Sequence, residues 1–365
     1  VELSQMTKLG LNSMNWMNGK PNSDTGPMAN IPSIPHVHLS PMSGVTDLPF
    51  RLLALELGAD VTVTEFTSAE ALSRDQPRSW ERVRTDPRER PFVAQIFGGD
   101  KTAMVTSAQR LADTADIIDL NFGCPAPKVT RACAGAALMG EPDRLVDLVT
   151  AIIDAVDIPV TVKLRLGVDD ANRNIVQISE RLEQAGASRL CVHGRTLKQR
   201  YRGSADWSVI ASVVDAVSIP VIANGDVVDG TSARACLDAT GADGVMIGRA
   251  ALGAPHVLWQ VKTGLGWSGG TPPWSHLVRD VPESQASIEE ERAAKSWGFA
   301  RYVELSKELE CLRVKWLRRH AVDFTRGLPG GKTVRQALHR VGGDVEAMVR
   351  TVQDHLSQPL SEVQA

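Results

Sequence analysis

Residues 219–250, "IPVIANGDVVDGTSARACLDATGADGVMIGRA", contain two predicted strands with a predicted helix between them. The short apolar runs Val221–Asn224 and Gly244–Ile247 are typical of buried strands. The segment Thr231–Asp238 has the helical spacing of apolar residues. Strands that alternate with helices pair in parallel, because the chain crosses back over the sheet between them.

The same strand–helix pattern repeats from about residue 35 to residue 255. The other predicted strands are His36–Leu39, Val61–Thr64, Phe92–Phe97, Ile117–Asn121, Val160–Leu164 and Arg189–His193. The other predicted helices are Pro49–Leu57, Thr102–Ala112, Arg144–Ala155, Asn174–Ala185 and Trp207–Val217. Eight such units in about 220 residues predict a closed α/β (β/α)8 TIM barrel. An open doubly wound sheet is the alternative, but no GxGxxG motif follows the first strand.

Three further segments flank the barrel, which we assign to residues 35–261. Residues 1–34 are rich in Asn, Pro, Gly and Ser and predict a flexible N-terminal extension. Residues 262–288 are rich in Gly, Pro and Ser and predict a linker. Residues 289–365 favour helices and predict a small C-terminal helical domain.

Composition places limits on the class of protein. The chain has 365 residues, 43% of them hydrophobic, and therefore has enough apolar side chains for a sizeable core. Its five cysteines are scattered without a CxxC pair, so neither a disulfide framework nor a metal site is expected. No apolar run reaches the roughly 18–20 residues of a membrane span, and the start lacks signal-peptide features. We expect a cytoplasmic monomer with no membrane partner.

Positive charge is concentrated near the C-terminus. Residues 312–340 contain eight Lys or Arg residues and one acidic residue, Asp323. Such a block in an otherwise acidic chain suggests an anionic partner, most often a nucleic acid. A solvated helix face is the alternative explanation.

Nearly every predicted strand ends in a polar residue or a glycine. Active sites of these barrels lie at the carboxyl ends of the strands, so such residues converge on one rim. We therefore predict a site formed by Pro41, Met42, Ser43, Glu65, Gln95, Asn121, Cys124, Lys163, His193, Asn224, Gly225, Asp226, Gly248 and Arg249.

The rim residues suggest a phosphorylated cofactor. The motifs "NGD" (224–226) and "IGR" (247–249) offer backbone N–H groups and an arginine to a phosphate, although either alone also suits a tight turn. Lys163 offers a cation to a reduced flavin ring, unless it is a surface lysine, and Gln95 suits the edge of the ring. This combination fits FMN better than a sugar phosphate.

Several motifs resemble the tRNA-dihydrouridine synthase family, specifically its bacterial B-type branch. They are "PMSGVTDLPFR", "DLNFGCPAPKV", "VKLRLG", "VHGRT", "IPVIANGD" and "GADGVMIGRAALGAP", spread over about residues 35–260. The resemblance implies an FMN-binding barrel with a small helical tRNA-binding domain. It implies reduction of the C5–C6 bond of uridines in tRNA, with NADPH or NADH as reductant.

The resemblance also implies roles for individual residues. Cys124 would be the catalytic acid, and Asn121 would face the target uracil. FMN would be held by Pro41, Met42, Ser43, Gln95, Lys163, His193, Asn224, Gly225, Asp226, Gly248 and Arg249.

A thiol suits the acid role because its pKa of about 8.5 keeps it protonated at neutral pH. It would give a proton to C5 while a hydride reaches C6. The alternative role of a small buried hydrophobe fits Cys191 and Cys236, whereas Cys133 lies in the same loop as Cys124.

Cations for the RNA backbone are expected in two places, because an extruded base needs the surrounding phosphates to be held. Arg195, Lys198, Arg200 and Arg202 follow the sixth strand, and the C-terminal block includes Arg313, Lys315, Arg318, Arg319 and Arg335. Two other functions are open at this point. One is a dihydroorotate-dehydrogenase-like FMN barrel acting on a free small molecule, which would not need residues 289–365. The other is a non-catalytic RNA-binding barrel, which would purify without flavin colour.

Overall fold

The computed structural model describes residues 36–130 and 134–358. The predicted N-terminal extension and Cys133 lie outside the described residues. The domain boundaries and the linker remain predictions.

A parallel β-barrel forms the centre of the described chain. Its sheet order is β2-β1-β9-β8-β7-β6-β5-β4-β3, and β2 also pairs with β4, which closes the sheet. The strands are β1 His36–Leu39, β2 Val61–Val63, β3 Thr67–Ser68, β4 Phe92–Phe97, β5 Ile117–Asn121, β6 Val160–Arg165, β7 Arg189–His193, β8 Val221–Asn224 and β9 Gly244–Ile247. The two-residue β3 only extends the edge beside β4, so the other eight strands confirm the predicted (β/α)8 barrel.

The strand register brings the polar strand ends together. Asn121 pairs with Lys163 across β5 and β6, and Arg165 pairs with His193 across β6 and β7. His193 in turn pairs with Asn224 across β7 and β8. Because all strands are parallel, these side chains belong to one rim of the barrel.

Helices follow the strands and cover the outside of the barrel. They are α1 Leu48–Glu56, α2 Ala69–Ser73, α3 Pro77–Arg82, α4 Lys101–Ala112, α5 Pro127–Thr130, α6 Pro142–Ile153, α7 Ile175–Gln184, α8 Trp207–Ala216, α9 Gly230–Thr240 and α10 Val257–Gly264. Helix α6 shows why they pack on the sheet: it buries Leu145, Leu148, Val149 and Ile152, a stripe at helical spacing. Helix α9 begins at a capping box formed by Asp229 and Ser232.

Four helices form the C-terminal region: α11 Ala286–Glu308, α12 Val314–Phe324, α13 Gly331–Arg340 and α14 Val345–Ser357. Helices α11 and α12 contact the barrel directly, while α13 and α14 pack on α11 and α12. The Tyr302 hydroxyl donates to Asp47 Oδ2 at 2.8 Å, and Asp47 caps helix α1. At Gly253 (φ +66°), an added Cβ would lie 2.1 Å from the carbonyl oxygen of Asp323, so only glycine permits this close approach.

The segment expected to be a linker contains short helices and a buried tryptophan. Short 3-10 helices occupy Ser275–Leu277 and Glu283–Gln285, and Trp274 is buried. The Trp274 ring lies 6.0 Å from the ring of Trp259, which belongs to α10. Helix α10, the last helix of the barrel, ends at Gly264, three residues beyond the predicted end of the barrel domain at residue 261.

A search of the described helices finds none with the length and apolar character that a bilayer crossing requires.

Candidate active site

A cavity of about 340 Å³ opens at the carboxyl ends of the strands. Its volume lies within the range of small-molecule and cofactor sites. The predicted site residues that line it are Pro41, Met42, Asn121, Cys124, Lys163, His193, Asn224, Gly225, Asp226, Gly248 and Arg249. These strand ends, which the sequence assigned to one rim, thus share one cavity.

The loop that follows β5 presents the Cys124 thiol to this cavity. The Asn121 Oδ1 atom accepts hydrogen bonds from the backbone N–H groups of Gly123, at 3.0 Å, and Cys124, at 2.9 Å. Cys124 itself is 8% exposed. One amide side chain therefore fixes the turn on which the thiol sits, and the thiol stays largely out of water.

The environment of Cys124 favours the protonated thiol. Burial raises its pKa above the ordinary value, while the Ala126 N–H and the cations Arg165 and Lys163 act in the opposite direction. The net shift is upward, so the group is a proton donor at neutral pH.

Lys163 is held inside the cavity by its neighbours. Its Nζ atom donates to Asn224 Oδ1 at 3.0 Å, and Asn224 Nδ2 donates to the Met246 carbonyl at 2.7 Å. Burial lowers the pKa of Lys163. Among the residues that the structure describes, no carboxylate is in hydrogen-bond contact with Lys163 Nζ, so this group is suited to bind negative charge on a ligand.

Arg165 is a site residue that the sequence analysis missed. Its Nε atom donates to the Gly123 carbonyl at 2.7 Å, and Nη1 donates to the carbonyls of Thr196 and Arg200, each at 3.0 Å. Burial lowers its pKa to about 10, so it remains charged at neutral pH. It stands two residues after Lys163 on the same strand, and this period-two spacing was the available signal.

His193 is a neutral member of the cavity wall. Burial, together with the nearby charges of Arg165 and Lys163, holds the pKa of His193 far below its ordinary value. A neutral imidazole offers one donor and one acceptor. It is therefore suited to hydrogen-bond a ligand rather than to add positive charge.

The "NGD" and "IGR" motifs line the outer part of the site with bare backbone and an arginine. At Gly225 (φ +119°) an added Cβ would lie 2.9 Å from the Ala205 Cβ atom, so a side chain is excluded there. The Arg249 guanidinium lies 4.8 Å from the centre of the Tyr201 ring and 3.2 Å from Asp226 Oδ1. Glycine backbone that lines a cavity beside a half-exposed arginine is the kind of surface that binds phosphate in this fold.

Taken together, these donors match the needs of FMN. The buried Lys163 ammonium and the neutral His193 suit a flavin ring, whereas Gly225, Gly248 and Arg249 suit its phosphate. Tyr201 and Phe66 also line the cavity and were not predicted. Tyr201 is 53% exposed, so it offers an aromatic face at the surface of the site.

Ser43, Gln95 and Arg195 were predicted to bind FMN or substrate but do not line the cavity, although the structure describes them. Ser43 is exposed, and Gln95 is fully buried with its side chain bonded to Asp119 and Asn121. Arg195 is 2% exposed and donates to the Asp226 carboxylate at 2.6 Å. Its guanidinium therefore holds the "NGD" turn, and its contact with substrate stays a prediction.

Glu65, which the sequence also assigns to the rim, lies outside the cavity lining. Its side chain is buried, and Oε2 accepts a hydrogen bond from the backbone N–H of Gly44 at 2.7 Å. Burial raises the pKa of Glu65. Its carboxyl group therefore holds the loop after β1 in the described structure.

The predicted RNA contacts Arg318 and Arg319 lie on α12. Arg318 donates to the Gly342 carbonyl, and Arg319 pairs with Asp323, which is 1% exposed. Arg326 pairs with the same carboxylate at 3.1 Å. Part of the basic block is therefore engaged in holding the C-terminal helices together.

Two other cysteines have the environment of buried apolar residues. Burial raises the pKa of Cys191 to about 11 and that of Cys236 to about 12. Neither lines the cavity, and both are described residues. This agrees with the packing role that the sequence suggests for them.

Comparison with known proteins identifies related sequences. A family model described as Dihydrouridine synthase (Dus) matches residues 38–360. The chain is 36% identical over 321 residues to tRNA-dihydrouridine synthase B of Pseudomonas aeruginosa, covering 88% of this chain and 92% of the relative. It is 42% identical over 241 residues to tRNA-dihydrouridine synthase B of Escherichia coli K12, covering 64% and 73%. A probable tRNA-dihydrouridine synthase of Rhodobacter capsulatus is 45% identical over 233 residues, covering 63% and 72%.

Proposed function

The chain belongs to the dihydrouridine synthase family, and on that premise we propose how its own residues reduce uridine in tRNA to dihydrouridine. This proposal rests on one observation: a buried, protonated thiol and a buried lysine line the same cavity at the carboxyl ends of the barrel strands. We assign Cys124 as the general acid. The family assignment decides against the two alternatives, a free small-molecule substrate and a non-catalytic barrel.

We assign FMN as the cofactor and NADPH as its reductant. When bound and reduced, FMN supplies the hydride that reaches C6 of the uracil ring. Lys163 and His193 hold the flavin ring, and the backbone at Gly225 and Gly248 with Arg249 holds the phosphate. Pro41, Met42, Asn224 and Asp226 complete the wall of the site.

Cys124 moves the proton. Its Sγ–H bond breaks as a new C–H bond forms at C5 of uracil, which saturates the C5–C6 bond. The raised pKa keeps the proton on sulfur until the substrate arrives. Asn121 holds the turn that carries the thiol, and its predicted contact with uracil is part of the same proposal.

The tRNA reaches this cavity with the target base extruded from the folded RNA, because a stacked base cannot enter it. Exposed cations of the C-terminal block hold the RNA backbone. Lys315 and Lys332 are exposed and have no ion pair within the described residues. We place the reaction in the cytoplasm, where tRNA is processed, and expect the protein to act as a monomer.

The cofactor proposal is tested by purifying the protein and recording its absorbance. We expect bound FMN, or full reconstitution with added FMN, and bleaching of the flavin bands by NADPH under anaerobic conditions. The Cys124→Ala variant is the matched control and should bleach at the wild-type rate, because the thiol acts only on the uracil. A colourless protein that does not take up FMN would refute the assignment.

A further inference from the structure

A chain of buried polar side chains runs through the barrel wall to the Cys124 loop. Thr161 donates to Asp119 Oδ1, and Gln95 Nε2 donates to Asp119 Oδ2 at 2.6 Å. Asn121 Nδ2 then donates to Gln95 Oε1 at 2.8 Å. Asn121 Oδ1 accepts from the backbone N–H of Cys124. All four side chains are at most 5% exposed.

The barrel register explains why these residues meet. Asp119 on β5 pairs with Gln95 on β4 and with Thr161 on β6. Asn121 stands two residues after Asp119, so both side chains point to the same face of β5. The loop with Cys124 begins directly after Asn121. The chain of contacts is therefore built into three neighbouring strands.

The orientation of every amide in this chain is set by Asp119. Burial raises the pKa of Asp119, while the hydrogen bonds from Thr161 and Gln95 act in the opposite direction. Both carboxylate oxygens accept hydrogen bonds in the structure, so Gln95 must turn its NH2 group toward Asp119. The Gln95 oxygen then faces Asn121, which must turn its own NH2 group toward Gln95. As a result, the Asn121 oxygen faces the N–H groups of Gly123 and Cys124.

We propose that Asp119 and Gln95 are positioning residues that fix the Cys124 thiol by setting the orientation of Asn121. This inference rests on the proposed role of Cys124 as the acid. Neither residue lines the cavity, and both act through Asn121. Gln95 thus has a role in addition to the flavin contact implied by the family resemblance.

Changing the Asp119 carboxylate to an amide tests the proposal. In Asp119→Asn, one oxygen is left for the two donors Thr161 Oγ1 and Gln95 Nε2. When the new NH2 group faces the NH2 group of Gln95, Gln95 and then Asn121 flip. The N–H groups of Gly123 and Cys124 lose their acceptor, and the thiol is displaced. We expect tRNA-dependent reoxidation of the reduced flavin to slow by roughly 10²-fold, as for a misplaced catalytic group.

A second measurement does not depend on the flavin. Alkylation of Cys124 by iodoacetamide is followed in flavin-free protein on the tryptic peptide that ends at Lys128 and excludes Cys133. We expect alkylation of Asp119→Asn to be about fivefold faster, since losing roughly one hydrogen bond opens the loop. Asp238→Asn, on the exposed face of α9, removes the same charge elsewhere and should behave like wild type.

The decisive variant is the double substitution Asp119→Asn/Gln95→Glu. The new amide at position 119 then donates to the new carboxylate at position 95. The other oxygen of that carboxylate still accepts from Asn121, so the original orientation returns with one carboxylate in the network. The single variant Gln95→Glu places two carboxylates face to face and should be slow. Alkylation in the double variant should return to the wild-type rate, which two independent structural defects would not produce.

The outcomes separate this inference from the proposed function. The positioning role is overturned if Cys124 in the double variant is alkylated as fast as in Asp119→Asn. It is also overturned if the double variant does not fold. If Asp119→Asn does not fold, a double variant that folds and is alkylated at the wild-type rate supports the positioning role equally. Normal reoxidation in Cys124→Ala would instead refute the thiol as the acid, whatever the alkylation data show.

Discussion

The rim of the barrel and the basic block of the C-terminal helices are both rich in cations, but they use them differently. At the rim, Lys163 and Arg165 are buried and contact fixed amide and carbonyl oxygens. In the block, Arg319 and Arg326 surround the buried Asp323, while Lys315 and Lys332 are exposed. A count of charges therefore does not show which cations are available to a ligand. Burial and partners decide it.

Removing the thiol should give the largest effect at the rim. In Cys124→Ala, NADPH should still reduce the flavin at the wild-type rate, because the flavin site is intact. Reoxidation by tRNA should slow by roughly 10²–10⁴-fold, the usual contribution of a positioned general acid. Stopped-flow absorbance of the flavin measures both steps separately.

Two variants serve as controls for that result. Cys124→Ser should restore little activity, since a hydroxyl is much less acidic than a thiol. Cys133→Ala should behave like wild type. If Cys133→Ala were slow and Cys124→Ala normal, the acid would be the second cysteine; if both were normal, the proton would come from water or another side chain.

Charge reversal in the C-terminal block separates RNA contacts from structural cations. Lys315→Glu/Lys332→Glu should weaken tRNA binding and flatten the log–log salt dependence by about two units, one for each lost phosphate contact. Thermal unfolding should be unchanged, because neither lysine has an ion pair within the described residues. Binding titrations at several salt concentrations provide the measurement.

Arg318→Glu/Arg319→Glu is the matched comparison. We expect it to flatten the salt slope too, but also to lower the free energy of unfolding by about 1–3 kcal/mol, since Asp323 loses a charged hydrogen-bond donor. Bound FMN should be retained. An unchanged slope in both pairs of variants would move the RNA-contact surface elsewhere.

The smallest expected effect is a shift in pH dependence at the rim. The reaction needs the protonated thiol, and burial raises the pKa of Cys124. The rate of tRNA-dependent reoxidation should therefore be level through neutral pH and fall as pH rises, with a midpoint above the ordinary thiol value of about 8.5. Lys163, whose pKa is lowered by burial, also loses its proton as pH rises.

Alkylation assigns the midpoint to one of these two groups. The rate of Cys124 alkylation should rise with pH at the midpoint where reoxidation falls, because the thiolate is the reactive form. A reoxidation midpoint below about 8.5, or one that differs from the alkylation midpoint, would contradict the thiol as the titrating acid.

The sequence by itself determined the barrel and most of its rim. Six of the eight barrel strands, including Ile117–Asn121 and Val221–Asn224, begin and end where the pattern predicts. Strands buried on both faces leave continuous apolar runs, and turn residues mark their ends, so the information is local. Cys124 was identified in the same way, from a motif of adjacent residues.

Only the tertiary structure decided which side chains face the cavity. Gln95 stands at a strand end like its neighbours, but the closed barrel places Asp119 and Asn121 against its side chain, which does not line the cavity. Arg165 contacts Gly123 from 42 residues away in the chain, a contact that no local pattern contains. Likewise Asp323 engages arginines that the sequence offers to RNA. Register and burial set these contacts, and both exist only once the barrel has closed and the helices have packed.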